Sequence, residues 1–252
     1  MSAKLVRLVF VVLALVIAPQ ALAAEPAPPL DPAVGLKAVA GLVDQDLADT
    51  RVALRALAAT EEARSGDWSR IKGPLTVFAQ AQPEAAAVWY ARPDGSFTTT
   101  AAGPTGRSLK DRAYFHDLMA GRETTGELVI SKTTGRNIVV VAVPVRANGR
   151  VTGALGATLD LEKVSRRVDG ELGLPPGVMF YALDETGRTA LHRETSRIFE
   201  KPAEGQSPSL AAAVKEMLAK PEGTVSYEFQ GAQRTAIYRR SRETRWVYAL
   251  RW

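Results

Sequence analysis

The stretch ISKTTGRNIVVVAVPVRANGRVTGALGATLDL, residues 130–161, decides the fold of this chain. Residues 137–146 within it are rich in valine and isoleucine, which favour strands. Asn148 and Gly149 then predict a two-residue turn of the kind that joins antiparallel strands, and residues 151–161 return as the second strand. The stretch therefore predicts an antiparallel hairpin near the middle of the chain.

Further strand-like segments and turns surround this hairpin. They are, in chain order, a strand at 86–91, a turn at 92–95, a strand at 97–100, a helical or loop stretch at 109–121, a strand at 127–131 and a charged helix at 162–172. Turn residues such as Pro, Asp and Gly separate the strands. The first half therefore predicts an antiparallel sheet with helices.

The second half of the chain repeats the same order of elements. It contains strands at 178–183 and 189–192, a helix at 209–220, and three more strands at 224–229, 234–239 and 246–250. Each half reads strand, turn, strand, helix and then three antiparallel strands, although no fixed period is visible. The pattern predicts an α+β fold with two sheets, each with flanking helices.

A long helix precedes the two halves. Asp31 and Pro32 are typical of a helix start, and apolar residues then recur at steps of three, four and seven. We expect one helix over residues 34–66, running along the whole molecule. It packs on its own chain or pairs with a second copy in a homodimer, and the sequence leaves both alternatives open.

The first residues have the three-part layout of a secretory signal. Lys4 and Arg7 are followed by the apolar run Leu8–Ala18 and by small residues before an expected cleavage site after Ala23. The run is shorter than the roughly 20 residues that span a membrane, so an uncleaved anchor is the weaker alternative. We therefore expect a signal peptide at 1–23, a proline-rich linker at 24–33 and a periplasmic protein.

Composition excludes several classes of function. The chain of 252 residues has a formal charge of +5, and its basic residues are scattered, so nucleic acid is not an expected partner. It has no cysteine, which excludes disulfides and thiolate chemistry, and its two histidines have no metal-ligand spacing. No phosphate-binding loop or nucleophile elbow is present. We expect no enzyme activity, no cofactor and no metal.

Several stretches resemble the double Cache family of extracellular and periplasmic sensor domains. The similar segments are WYARPDGSF (89–97), GRSLKDRAYFHDLMAG (106–121), the 130–161 hairpin, FYALDETG (180–187), EGTVSYEFQG (222–231) and TRWVYALRW (244–252). The resemblance implies two PAS-like modules, a membrane-distal type at 67–172 and a smaller one at 173–252. It also implies a small ligand, such as an organic acid or an amino acid, in the first module.

Unlike the usual member of this family, the chain is expected to have no second membrane helix and no output domain. We therefore expect it to act through a separate partner, such as a membrane receptor or a kinase.

The resemblance places Arg112, Tyr114 and Phe115 in the ligand segment. A guanidinium can bind a carboxylate through two hydrogen bonds, so Arg112 is the candidate for binding an acidic ligand. The alternative is that Arg112 forms a surface ion pair with Asp111 or Asp117. The two aromatic rings are candidate walls of the pocket, and core packing is an equally good interpretation.

The hairpins contribute further candidates. Trp89 and Tyr90 alternate on a strand, so only one of them can face a pocket, and Tyr90 is the candidate. Ser131 and Thr133 bracket a strand end and are candidate donors to a ligand carboxylate, with turn formation as the alternative. Lys132 between them is expected to point away if the strand continues.

Two more candidates depend on the resemblance. Asp160 occupies the position where amino-acid-binding members place the acidic partner of the ligand's amino group, but it is also a candidate helix cap. The amino-acid motif has a Tyr and a Trp where this chain has Arg107 and Tyr114. The extra charge of Arg107 favours an acidic ligand.

The sequence is compatible with three functions. The first is a periplasmic small-ligand sensor or binding protein with its pocket near Arg112. The alternative is a structural or protein-interaction component of the envelope, without a small ligand, that associates through the long helix. The third is a hydrolase with a site that carries no recognisable motif.

Overall fold

A computed structural model describes residues 30–205 and 207–252 of the chain. The predicted signal peptide at 1–23 and most of the predicted linker at 24–33 lie outside the described residues. No helix in the described part is long and apolar enough to cross a membrane.

The first helix, α1, spans Pro32–Ala58. Its start is confirmed, because the Asp31 side chain accepts a hydrogen bond from the Ala33 N–H at 2.8 Å and Pro32 follows at the first helical position. The helix has 27 residues and is therefore about 40 Å long. The apolar positions on one side of it, among them Val39, Leu47 and Leu54, are buried along its length.

The prediction of one helix to residue 66 is wrong, because α1 ends at Ala58 and two more helices follow. Thr60 caps the short helix α2, Glu61–Arg64, by accepting a hydrogen bond from the Ala63 N–H. A threonine hydroxyl placed there satisfies a helix-start amide, which favours a new start over a continued helix. Helix α3 then covers Trp68–Gln80 and was missed.

The first sheet has six antiparallel strands in the order β3-β2-β1-β6-β5-β4. Its strands are β1 (Ala85–Ala91), β2 (Ser96–Thr99), β3 (Gly103–Ser108), β4 (Thr124–Ile130), β5 (Asn137–Ala147) and β6 (Arg150–Asp160). The predicted central hairpin is β5 and β6, and Asn148 and Gly149 both have positive φ values, 51° and 76°, as a two-residue hairpin turn requires. Helix α4, Ala113–Met119, lies between β3 and β4.

Helix α5, Leu161–Leu172, follows the first sheet and leads to the second, which has five strands in the order β8-β7-β11-β10-β9. Its elements are β7 (Met179–Leu183), β8 (Thr189–His192), a 3-10 turn (Thr195–Arg197), α6 (Pro208–Ala219), β9 (Glu222–Phe229), β10 (Ala232–Arg240) and β11 (Val247–Arg251). Without the edge strand β3, the two sheets have the same topology. The repeat expected from the order of elements is therefore present in the fold.

Each sheet has one face toward α1 and one face away from it, which we call its inner and outer faces. The inner faces and α1 form one continuous core that includes Val141 and Leu155 from the first sheet and Phe180 and Leu250 from the second. The outer faces form two separate apolar clusters, one with α4 and one with α6. The predicted fold class, α+β with a long helix and two PAS-like sheets, is confirmed.

Candidate ligand-binding site

A cavity opens on the outer face of the first sheet, beside the start of α4 and the end of β4. We call it the first cavity. It has an empty volume of about 340 Å³, open solvent at its mouth included. Its polar and aromatic lining consists of Trp89, Phe97, Arg112, Tyr114, Ser131, Lys132, Thr133 and Thr158. Four of the candidates from the sequence, Arg112, Tyr114, Ser131 and Thr133, therefore lie together.

Arg112 occupies the position just before α4, where its backbone is extended. Its guanidinium Nη2 donates a hydrogen bond to the carbonyl of Ile130 at 2.9 Å, across the cavity edge. The alternative interpretation of Arg112 was a surface ion pair with Asp111 or Asp117. Both carboxylates have other partners, since Asp111 pairs with Lys132 and Asp117 pairs with Arg122. Arg112 thus carries a positive charge at the cavity without a carboxylate partner in the described part of the chain.

The turn after β4 supplies the polar groups on the opposite side. The Ser131 Oγ accepts hydrogen bonds from the N–H groups of Thr133 and Thr134 at 3.3 and 3.1 Å, and it lies 3.1 Å from the Thr133 Oγ1. Lys132 was expected to point away only if the strand continued, and this condition is not met, because β4 ends at Ile130 and strand alternation stops there. The Lys132 Nζ instead reaches the carbonyl of Ser108 at 2.6 Å and lines the cavity.

The aromatic residues differ in whether their side chains line the first cavity or lie in the core. Trp89 lines the cavity with its ring centroid 6.5 Å from that of Tyr114. Burial raises the pKa of Tyr114 to about 12, so its hydroxyl keeps its proton at neutral pH. Tyr90 points to the inner face, where it is 2% exposed in the core, so its assignment to the pocket is wrong. Phe115 is buried in the outer-face cluster and does not line the cavity.

Asp160 and Arg107 also lie outside the first cavity. The Asp160 Oδ1 accepts hydrogen bonds from the N–H groups of Glu162 and Lys163 at 3.0 and 3.3 Å, and its Oδ2 pairs with Arg136 at 2.6 Å. Its carboxylate is therefore the cap of α5, and its role as a ligand partner is not supported by the geometry. Arg107 lies on the exposed strand β3 and lines a separate surface groove.

The charged side chains that line the first cavity are both cationic, and the Lys132 ammonium is already paired with Asp111 beside it. Arg112 and Lys132 are its charged lining residues, and no Asp or Glu lines it. Within the described residues there is also no cluster of three His, Asp or Glu side chains that could hold a metal ion. The arrangement suits a carboxylate, which can accept from a guanidinium, an ammonium and hydroxyl groups at once.

A larger cavity on the outer face of the second sheet was not anticipated from the sequence. It lies between that sheet and α6, and its empty volume is about 730 Å³, open solvent included. Tyr181, His192, Tyr227, Arg234 and Arg251 are among its lining residues, and we call it the second cavity. The repeat of strands and helix in the second half is the sequence signal that could have predicted an equivalent cavity there.

Comparison with solved structures finds the same fold in receptor domains. An extracellular ligand binding receptor from Desulfohalobium retbaense DSM5692 superposes with a TM-score of 0.71 at 12% identity, over 87% of this chain and 40% of that chain. This chain thus spans less than half of that receptor.

Two chemoreceptor domains are similar over most of their length. The ligand-binding domain of the amino acid chemoreceptor PctC of Pseudomonas aeruginosa PAO1, in complex with GABA, gives a TM-score of 0.63 at 19% identity, over 87% of this chain and 95% of that one. The ligand-binding domain of CtaA of Pseudomonas fluorescens, in complex with L-isoleucine, gives 0.66 at 14% identity, over 85% and 87% of the two chains.

Among curated protein sequences no significant match to this chain was found. The family profile for the Cache domain of the double Cache type matches residues 33–251, which is nearly all of the described part. Double Cache domains are extracellular or periplasmic sensor domains, and the family is one of ligand binding, not of enzymes. With the profile match and the shared fold together, the chain belongs to the double Cache family.

Proposed function

We propose that this protein is an exported, periplasmic sensor or binding protein that holds a small organic acid in its first cavity and acts through a separate partner, such as a membrane receptor or a kinase. For the organisation of the chain we propose a cleaved signal peptide at 1–23, a first module at 67–172 and a second module at 173–252. Membership of the double Cache family supports the sensor role.

One observation carries the choice of ligand: Arg112 and Lys132 line the first cavity and no carboxylate does. A buried carboxylate on the ligand needs such cationic donors, because a charge removed from water without a partner is strongly unfavourable. The amino group of an amino acid would need an acidic partner, and Asp160 already serves Arg136 and the start of α5. The lining therefore favours an organic acid over an amino acid.

Two proteins of similar fold support an amino-acid ligand as the alternative, since the PctC domain was solved with GABA and the CtaA domain with L-isoleucine. Those domains share less than a fifth of their residues with this chain. A panel of ligands must therefore include amino acids and amines as well as mono- and dicarboxylic acids.

A thermal-shift screen followed by calorimetry tests the proposal. A ligand at 100 times its dissociation constant adds about 2.7 kcal/mol to stability, which gives a clear rise in melting temperature. We expect a hit among the carboxylic acids and a loss of at least tenfold in affinity in Arg112→Ala. Arg150→Ala is the matched control, because Arg150 is exposed at the start of β6 and away from the cavity.

Two results would contradict the assignment. Wild-type affinity in Arg112→Ala at an unchanged melting temperature would place the ligand elsewhere. A panel with no hit in any class would favour the second candidate function, association with a protein.

That second candidate rests on the outward side of α1. Val34 and Val52 are 61% and 56% exposed, and their spacing of eighteen residues places them on the same side of an α-helix. Sedimentation of the protein and of Val52→Glu tests association through α1. A dimer that Val52→Glu dissociates supports it, and a monomer over the whole concentration range excludes it.

A further inference from the structure

The second cavity is built by five strands and a helix that bring distant residues to one face. In the register of the second sheet, Arg234 on β10 lies opposite Tyr227 on β9, and Arg251 on β11 lies opposite Ala236 on β10. Because residues opposite one another share a face, these side chains and Tyr181 all project to the outer side. The face is covered by α6, which contributes Leu210 and Val214 to the lining.

Two of the three arginines that line this cavity have no ionic partner. Arg197 is neutralised by two glutamates that also line the cavity: the Glu194 Oε2 lies 2.6 Å from its Nε, and Glu200 lies at 3.6 Å. Within residues 30–205 and 207–252, no carboxylate lies at ion-pair distance from Arg234 or Arg251. The Arg234 Nε is moreover buried without any hydrogen-bond acceptor. A buried donor without an acceptor in the protein is unfavourable unless water or a ligand in the cavity supplies one, and the anionic oxygen of a ligand is the stronger acceptor for a guanidinium.

The remaining lining is aromatic with a few fixed polar groups. The hydroxyl groups of Tyr181 and Tyr227 lie 3.3 Å apart, and the His192 ring stacks on Tyr181 with centroids 6.1 Å apart. The His192 Nδ1 accepts a hydrogen bond from the Glu194 N–H at 2.9 Å, so in the neutral ring Nε2 carries the proton. Such walls suit a flat apolar body, and the two arginines suit an anionic group on it.

The first and second cavities also occupy equivalent places in the repeat. Each lies on the outer face of its sheet, and the helix beside it is the one that precedes the last three strands, α4 or α6. The second cavity is the larger of the two.

From these observations we propose that the second cavity is a ligand site of its own, which binds a small carboxylate with an aromatic or apolar body through Arg234 and Arg251. The site is independent of the one proposed at Arg112. It makes the protein a binder of two carboxylate ligands, one in each module.

Benzoate and benzamide are matched probes for this site, because they have the same shape and only benzoate carries a charge. The chain contains two histidines, His116 on α4 in the first module and His192 in the second cavity, so the two imidazole signals in an NMR spectrum report on the two modules separately. We expect benzoate to shift the His192 signal saturably and benzamide to shift it at least tenfold more weakly.

Variants of the purified protein then test the arginines. Arg234→Gln and Arg251→Gln should each weaken the benzoate titration at His192 at least tenfold. Arg239→Gln is the matched control, since Arg239 is exposed on the opposite face of the same strand and should leave the titration unchanged. Arg112→Ala should also leave it unchanged, which separates this proposal from the first.

Three results would overturn the proposal. They are a His192 signal that does not respond to benzoate at millimolar concentration, an equal response to benzamide, and unchanged titrations in both Arg234→Gln and Arg251→Gln. An unchanged His116 signal and melting temperature in each variant verify that it is folded.

Discussion

Acidification should destabilise this protein through His192, the histidine that lines the second cavity. Burial lowers the pKa of His192 from 6.5 to about 4, against the opposing attraction of Glu194 and with a smaller contribution from the positive charges of Arg197 and Arg251. The unfolded chain therefore binds a proton at this residue well before the folded chain does. The contribution of His192 to the free energy of unfolding is fully present above pH 6.5, and it is lost as the pH falls from 6.5 to about 4.

The size of the loss follows from the two pKa values. At about 1.4 kcal/mol per pH unit, the gap between 6.5 and about 4 corresponds to about 3 kcal/mol of unfolding free energy. This is a large share of the roughly 5–15 kcal/mol that holds a typical domain folded.

Urea denaturation at a series of pH values from 7.5 to 4 measures this loss. His192→Asn is the informative variant, because an amide oxygen can still accept the Glu194 N–H but the side chain does not titrate. Carboxyl groups away from residue 192 titrate alike in both proteins, so the difference between wild type and variant reports His192 together with Glu194, whose pKa the histidine helps to lower. His116→Asn is the control, since His116 is exposed on α4. Parallel stability curves for wild type and His192→Asn would refute the reasoning.

Two further substitutions test how the chain is held together. Asp44→Ala should lower the unfolding free energy by about 2 kcal/mol, because the Asp44 carboxylate accepts hydrogen bonds at 2.9 Å from the Ser241 Oγ and from the buried Tyr248 hydroxyl, which would lose its acceptor. Urea denaturation should show a smaller effect in a Tyr248→Phe background, and strictly additive effects would count against the contact. Gly156→Ala should destabilise by about 1–3 kcal/mol, because a methyl group there would overlap the Trp89 indole. Gly156→Ala should also weaken ligand binding in the first cavity, because Trp89 lines it. Calorimetry measures this affinity, and an unchanged value would show that the Trp89 ring can move aside.

Helix α3 escaped prediction because its cause is not local. Helix α3 contains Pro74, which lacks the amide that a helix interior uses, yet Ile71, Leu75 and Phe78 pack its buried side into the core. Tertiary packing thus outweighs the local penalty of proline. The orientation of Lys132 stayed conditional for a related reason, since the end of β4 at Ile130 is set by pairing with β5.

The sequence by itself determined what depends on neighbouring residues. Asp31 and Pro32 begin a helix, Asn148 and Gly149 close a hairpin, and the alternation of Trp89 and Tyr90 requires that only one of them faces a cavity. Each of these follows from local backbone geometry or from the two-residue period of a strand.

Only the tertiary structure decided which residues meet. It turned Tyr90 toward α1 and Trp89 toward the first cavity, and it committed Asp160 to Arg136 and the start of α5. It also brought Tyr227, Arg234 and Arg251 from three strands into the second cavity. The physical reason is that strand order, register and helix placement are set by long-range packing, in which residues far apart in the chain share one face.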